Sequence, residues 1–157
     1  QNFKGKYFSE GVKHNNELVP KKYTHFWQTK KNIKKMELVF NQDKLITLKQ
    51  SPAEKEKIRH NIFVVQKTND PLTSFLKIMI GKKNALVVDG RRLYTMTAKP
   101  DVSKIRTTIQ ISNYLNLWAD HKKNKFEKII FEKNTKDLLP SKLFIYFDGR
   151  VFRLSEV

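Results

Sequence analysis

The chain contains no cysteine. That excludes disulfides, zinc–thiolate centres and thiol nucleophiles. Its five glycines are scattered through 157 residues, so no Gly-rich loop is available to wrap a phosphate. Five prolines and no low-complexity tract argue against a disordered chain. No apolar run approaches the roughly 18 residues that a membrane-spanning helix needs. Arginine is also scarce, appearing only at Arg59, Arg91, Arg92, Arg106, Arg150 and Arg153. Acids are few: 15 Asp and Glu stand against 32 Lys and Arg.

What remains is a chain with 39% hydrophobic and 11% aromatic residues. At this length about 70% of the unfolded surface can be buried, so residues 1–157 are read as one globular domain that needs no disulfide or metal staple. The formal net charge of +17 sets up a field that favours acidic macromolecules, nucleic acids and anionic membrane surfaces. Lysine supplies most of that charge. Purpose-built phosphate surfaces favour arginine, so the lysine bias is equally compatible with solubility. The chain opens at Gln1 rather than Met. A removed leader would place it outside the cytoplasm, secreted or lipid-anchored. A trimmed cytoplasmic chain is the alternative.

Most apolar stretches are short and rich in Val, Ile, Phe, Tyr and Thr, which is the strand signature. "MELVF" and "KLITLK" flank Asn41-Gln42-Asp43 as a hairpin. "NIFVVQK" (Asn61 to Lys67) and "SFLKIMI" (Ser74 to Ile80) read as strands, with Gly81-Lys82-Lys83-Asn84 turning into "ALVV". "KIRTTIQI" (Lys104 to Ile111) is a further strand, and "KFEKIIFEK" fits either strand or helix. Two stretches rhyme: "LVVDGRRLY" and "IYFDGRVFRL" both put Asp-Gly between apolar runs. This pattern predicts tight type I′ hairpins at Asp89-Gly90 and Asp148-Gly149. Two helices are expected. One spans 52–60, opened by Ser51-Pro52-Ala53-Glu54 with capping-box spacing. The other spans 113–124, capped by Ser112. The fold class is therefore mainly β, or β-rich α+β: an antiparallel meander of nine to eleven strands forming a barrel or sandwich, with one or two helices.

"NFKGKYF" places Gly5 two residues before Tyr7. This resembles the Gly-x-Trp opening of lipocalin-like (calycin) barrels, with Tyr in place of Trp. The resemblance covers seven residues. It implies a barrel with an apolar ligand cavity, no catalysis, and a helix after the barrel strands, for which 113–124 would serve.

Catalytic constellations are hard to find. His14, His25, His60 and His121 have no metal-ligand spacing and read as surface or boundary residues. Glu54-Lys55-Glu56-Lys57, Glu127-Lys128 and Glu132-Lys133 match the Glu-x-Lys half of some nuclease sites. In a chain this rich in Lys they are also ordinary surface pairs. No enzyme, metal or cofactor is expected.

The segment most suited to a partner is "KKYTHFWQTKKNIKK". Lys21, Lys22, Lys30, Lys31, Lys34 and Lys35 surround Tyr23, His25, Phe26 and Trp27, with no acid between them. Cations interleaved with aromatics suit an anionic ligand or stacking bases. An amphipathic strand with its aromatics turned inward explains the same pattern. Phe26 and Trp27 are adjacent, so in a strand they face opposite ways. Arg91 and Arg92 join the candidate surface if the fold brings them near. The expected function is a non-catalytic, exported binding protein for a small apolar ligand. The alternatives are a basic nucleic-acid-binding module and an interaction module that docks acidic surfaces, the latter at an unpaired sheet edge.

Overall fold

The structure, a computed structural model, describes residues 4–118 and 125–155. Eleven strands and one α-helix are present among them. Strands β1 (Lys4–His14), β2 (Glu17–Gln28), β3 (Ile33–Asn41) and β4 (Lys44–Ser51) form an antiparallel meander in chain order. A second sheet holds β5 (Thr68–Asn69), β6 (Asn84–Val88), β7 (Arg92–Pro100), β8 (Arg106–Asn116), β9 (Phe126–Glu132), β10 (Lys142–Phe147) and β11 (Arg150–Ser155). Its order is 11-10-9-8-7-6-5. Every pairing is antiparallel except β5 with β6, which are parallel. A parallel pair needs a crossover, and α1 (Pro71–Met79) supplies it. The fold is mainly β, as the alternating apolar pattern requires. The sheets stay separate and no closed barrel forms among the described residues.

The two sheets share a core. Tyr23, Met36, Leu38, Phe40 and Leu45 of the first sheet pack with Val88 and Leu93 of the second, together with Ile62, Leu117 and Trp118. A second cluster lies between α1 and the larger sheet, from Ile78 and Met79 to Val87, Tyr94, Met96, Ile109, Ile129 and Phe131.

The helix occupies part of the stretch expected as the strand "SFLKIMI". Its signals are local. Asp70 caps it, accepting from Leu72 N and Thr73 N at 3.0 Å each, and Pro71 fills the first helical position. At the far end Gly81 adopts φ +109°, Gly81 N donates to Ile78 O, and Lys82 N donates to Lys77 O. That is a Schellman stop, so the Gly81 turn ends a helix rather than joining two strands.

Neither expected helix forms among the described residues. Ser51 pairs with Lys35 as the last ladder residue of β4, and residues 52–60 run on without helix. Between Pro52 and His60 only Ala53 and Ile58 are apolar, too few for a buried helical stripe. Residues 113–116 continue β8. A bulge opposite Tyr94, with Asn113 at φ +53°, shifts the alternation there and mimics helical spacing. Residues 119–124 of that expected helix lie outside the described residues. Residues Ile62–Val64 make one 3₁₀ turn instead of a strand, with Ile62 buried in the shared core. "KFEKIIFEK" resolves as strand β9.

The two Asp-Gly turns differ. Phe147 pairs with Arg150, and Asp148 and Gly149 adopt φ +53° and +70°, as a type I′ turn requires. At the other, Asp89 N donates to Arg92 O, so the central residues are Gly90 and Arg91. Positive φ occurs at Gly90 (+87°) and not at Arg91, the type II′ pattern rather than the expected I′. Asp89 caps this turn instead of occupying its centre. Its Oδ1 accepts from Arg91 N at 2.9 Å and Arg92 N at 2.7 Å.

Candidate ligand-binding cleft

Strand periodicity divides the basic segment between two faces. Tyr23, His25 and Trp27 lie on one side of β2, paired across β3 with Leu38, Met36 and Lys34. Lys22, Thr24 and Phe26 lie on the other, opposite Val39, Glu37 and Lys35. The first side faces the core at one end, where Tyr23 is only 2% exposed and leaves no surface for a ligand. Towards Trp27 the same side opens into a cleft of about 330 Å³.

The Asp89–Arg92 turn forms one wall of that cleft. Gly90 packs so closely on Met36 that a Cβ there would overlap its thioether. Trp118 Nε1 donates to Gly90 O at 3.0 Å, holding the turn from the other side. Arg91 therefore projects beside His25 and lines the cleft. Lys34 Nζ lies 5.5 Å from the Trp27 ring centroid, a cation–π pairing. Lys35 also borders the cleft, but its ammonium turns to the far face of the sheet, 3.8 Å from Glu37. The segment from Gln50 to Glu56, with Glu54 and Glu56, closes the rim.

His25, read from the sequence as a surface or boundary residue, belongs to the cleft. Its ring stacks on Tyr7 with centroids 4.3 Å apart, and its Nε2 is buried with no hydrogen-bond partner. Burial, aided by the positive field of Arg91, lowers its pKa to about 4. The imidazole is neutral at pH 7, so it offers a stacking surface and a polar atom without charge. Burial also raises the Tyr7 hydroxyl above its ordinary value, and Arg91 opposes the rise. The Tyr23-x-His25-x-Trp27 alternation was the signal that could have found His25, since period two places it beside Trp27.

Four of the ten sequence-predicted residues thus meet at one cleft: Trp27, Lys34, Lys35 and Arg91. The others lie elsewhere. Lys21 is the extra residue of a bulge, because Glu10 pairs with Lys22 and Gly11 with Pro20. Lys22 reaches Glu37 at 3.5 Å on the far face. Lys30 and Lys31 are exposed in the β2–β3 turn. Arg92 turns inward: its side chain is 14% exposed, 3.8 Å from Asp89 and set over the rings of Tyr114 and Phe147. Burial raises the Asp89 carboxyl, and Arg92 with the two turn amides offsets part of the rise. Burial likewise pushes the Tyr114 hydroxyl up to about 12.

A second cleft, of about 480 Å³, runs between the distal β1–β2 hairpin and α1. Val12, Leu18, Val19, Leu72 and Leu76 make it apolar, with Ser9, Thr73 and Lys13 at its margins. No protein-family model matches the chain, and comparison with curated proteins and with solved structures returns no match.

Proposed function

We propose that the protein is a non-catalytic binding protein, and that its ligand is a small anionic molecule with a flat or apolar body. One observation carries this reading: Arg91, distant in sequence, joins Trp27, Lys34 and Lys35 of the β2–β3 hairpin and His25 around one cleft of about 330 Å³. That volume lies at the lower end of small-ligand sites. Trp27 and His25 offer ring faces, while Arg91 and Lys34 offer donors for a carboxylate, sulfate or phosphate. Among the described residues, His25 and Ser51 both line the cleft but are not hydrogen-bonded to each other, since His25 Nε2 has no partner. Titration with anilinonaphthalene sulfonate, an anionic aromatic probe, tests the reading through the rise of the probe's own emission on binding. Arg91→Ala should weaken binding about tenfold, in line with one lost charge-assisted bond. Equal affinity in Arg91→Ala and the parent chain would remove the cleft as the site.

The apolar second cleft supports a second reading, the small apolar ligand that the lipocalin-like opening implies. A fatty acid that protects Leu72 and Leu76 amides from exchange, with Trp27 fluorescence unmoved, would favour it over the first.

A further inference from the structure

Strands β1, β4, β5 and β11 end the two sheets. Unpaired edges recruit further strands unless bulges, shortness or charge prevent it. Three of these edges are protected. β1 pairs across the β2 bulge at Lys21, β4 pairs across a register shift at Val39/Phe40, and β5 is two residues long. β11 is neither bulged nor cut to two residues, and its charges, Arg150 and Arg153, are all positive, so they repel basic strands and leave the edge open to acidic ones. Its six residues pair with β10 in unbroken register and all are exposed.

Register sorts the side chains of this edge. Phe152 lies opposite Ile145 and Leu154 opposite Leu143. Leu143 and Ile145 pack on the buried cluster under α1. Phe152 and Leu154, 51% and 53% exposed, therefore extend the core-side apolar face one strand beyond the core. Arg153 lies on the opposite side, across from Phe144. The hairpin's charge is one-signed. From Ser141 to Ser155 the cations are Lys142, Arg150 and Arg153, and the one acid, Asp148, is held by Lys125 at 2.9 Å.

We infer that β11 is a docking edge for an extended acidic segment of another protein, which adds a strand to the larger sheet. Main-chain hydrogen bonds to β11 supply the alignment. Apolar side chains at every second position of the segment cover Phe152 and Leu154, and the acids between them meet Arg153. An acid at the turn end of the apolar row meets Arg150, which shares the face of Phe152. A second copy of this chain fits poorly. Two β11 strands would leave Arg150 and Arg153 of each copy with no acid opposite, on chains that each carry +17. The inference does not depend on what occupies the clefts.

The test uses the full chain and labelled ten-residue peptides. A peptide that alternates Val and Glu, with Glu also replacing the Val opposite Arg150, should raise fluorescence anisotropy and slow amide exchange in β11. Arg150→Glu with Arg153→Glu should weaken it by about tenfold, as two attractive cross-strand pairs become repulsive, and should create binding to an alternating Val–Lys peptide. Arg153→Glu alone, at an exposed position that tolerates the change, should act in the same direction by a few-fold. Three results would overturn the inference. One is no binding of the Val–Glu peptide. Another is equal binding when prolines replace alternate valines, which would mean charge without strand addition. The third is a concentration-dependent dimer, seen by sedimentation and abolished by Phe152→Lys, which would make a second copy the occupant.

Discussion

At the scale of single residues, the two Asp-Gly turns show how one dipeptide serves two ends. Gly149 has φ +70° and nothing within 4 Å of where a Cβ would sit, so only its backbone conformation demands glycine. Gly90 has φ +87° and also lies against Met36 in the core joining the sheets. Gly90→Val should therefore cost about 3 kcal/mol, combining backbone strain with overpacking. Gly149→Ala should cost about 1 kcal/mol from strain alone. Urea denaturation of both variants measures the difference, and equal losses would mean that the contact with Met36 contributes nothing. His25 gives the second prediction at this scale. Its pKa is lowered from an ordinary 6.5 to about 4, so between those values the unfolded chain binds a proton that the folded chain refuses. Stability therefore falls as pH drops from 6.5 towards 4, and is unaffected by this group above 6.5. Asp89 acts in the opposite sense. Its raised pKa makes ionisation costly in the fold, so protonation at carboxylate pH returns stability. Melting temperatures at pH 7 and pH 5 should show the loss in the parent chain and a smaller loss in His25→Phe. A parallel decline in the variant would assign the slope to other groups.

At the scale of elements, the sequence was legible wherever alternation ran unbroken. The hairpins of β3–β4 and β10–β11, and the opposite facing of Phe26 and Trp27, follow from period two and turn chemistry alone. The failures share one physical cause, which is that a local pattern had two readings and tertiary context chose between them. "SFLKIMI" is strand-like in composition, yet Asp70-Pro71 before it and Gly81 after it are helix start and stop signals. Ser112 resembled a helix cap because the bulge at Asn113 shifts Tyr114 by one position. The cleft was half legible: the basic segment was visible, but its junction with Arg91 depends on the packing of Gly90 against Met36, which no local pattern encodes. Asp70 does more than start its helix. Its Oδ2 also accepts from Thr73 Oγ1 at 2.7 Å and from Ser9 Oγ at 3.0 Å, tying β1 to α1 although it is fully buried. Asp70→Ala should cost about 3 kcal/mol, the lost cap plus two hydroxyls left without their acceptor. Ser9→Ala removes that bond and a contact with Thr73 Oγ1 at 3.1 Å, leaves the cap intact, and should cost about 1 kcal/mol. If both variants lose the same amount in urea, the cap has no separate weight.

At the scale of the whole molecule, the +17 charge poses the question of polyanions. A single-strand binding surface needs aromatic rings and cations along one track, so that bases stack while phosphates are neutralised. The fold breaks up the track that the sequence suggested. Tyr23 is buried, Trp27 faces the cleft, Phe26 faces the other side of the sheet, and Lys30 and Lys31 sit in a turn. What survives is the charge itself, which acts through counterion release and reads neither sequence nor strandedness. Single- and double-stranded DNA should therefore bind alike at about 50 mM salt, with dissociation constants within the non-specific range of roughly 10⁻⁴ to 10⁻⁶ M, and lose affinity steeply by about 200 mM. Fluorescence titration at the two salt concentrations checks this. A clear single-strand preference that persists at the higher salt would mean that exposed rings stack on bases. Phe8, 59% exposed on the same face as Phe26, is where that contact would be sought, since Phe8→Ala should then abolish the preference while leaving duplex binding intact.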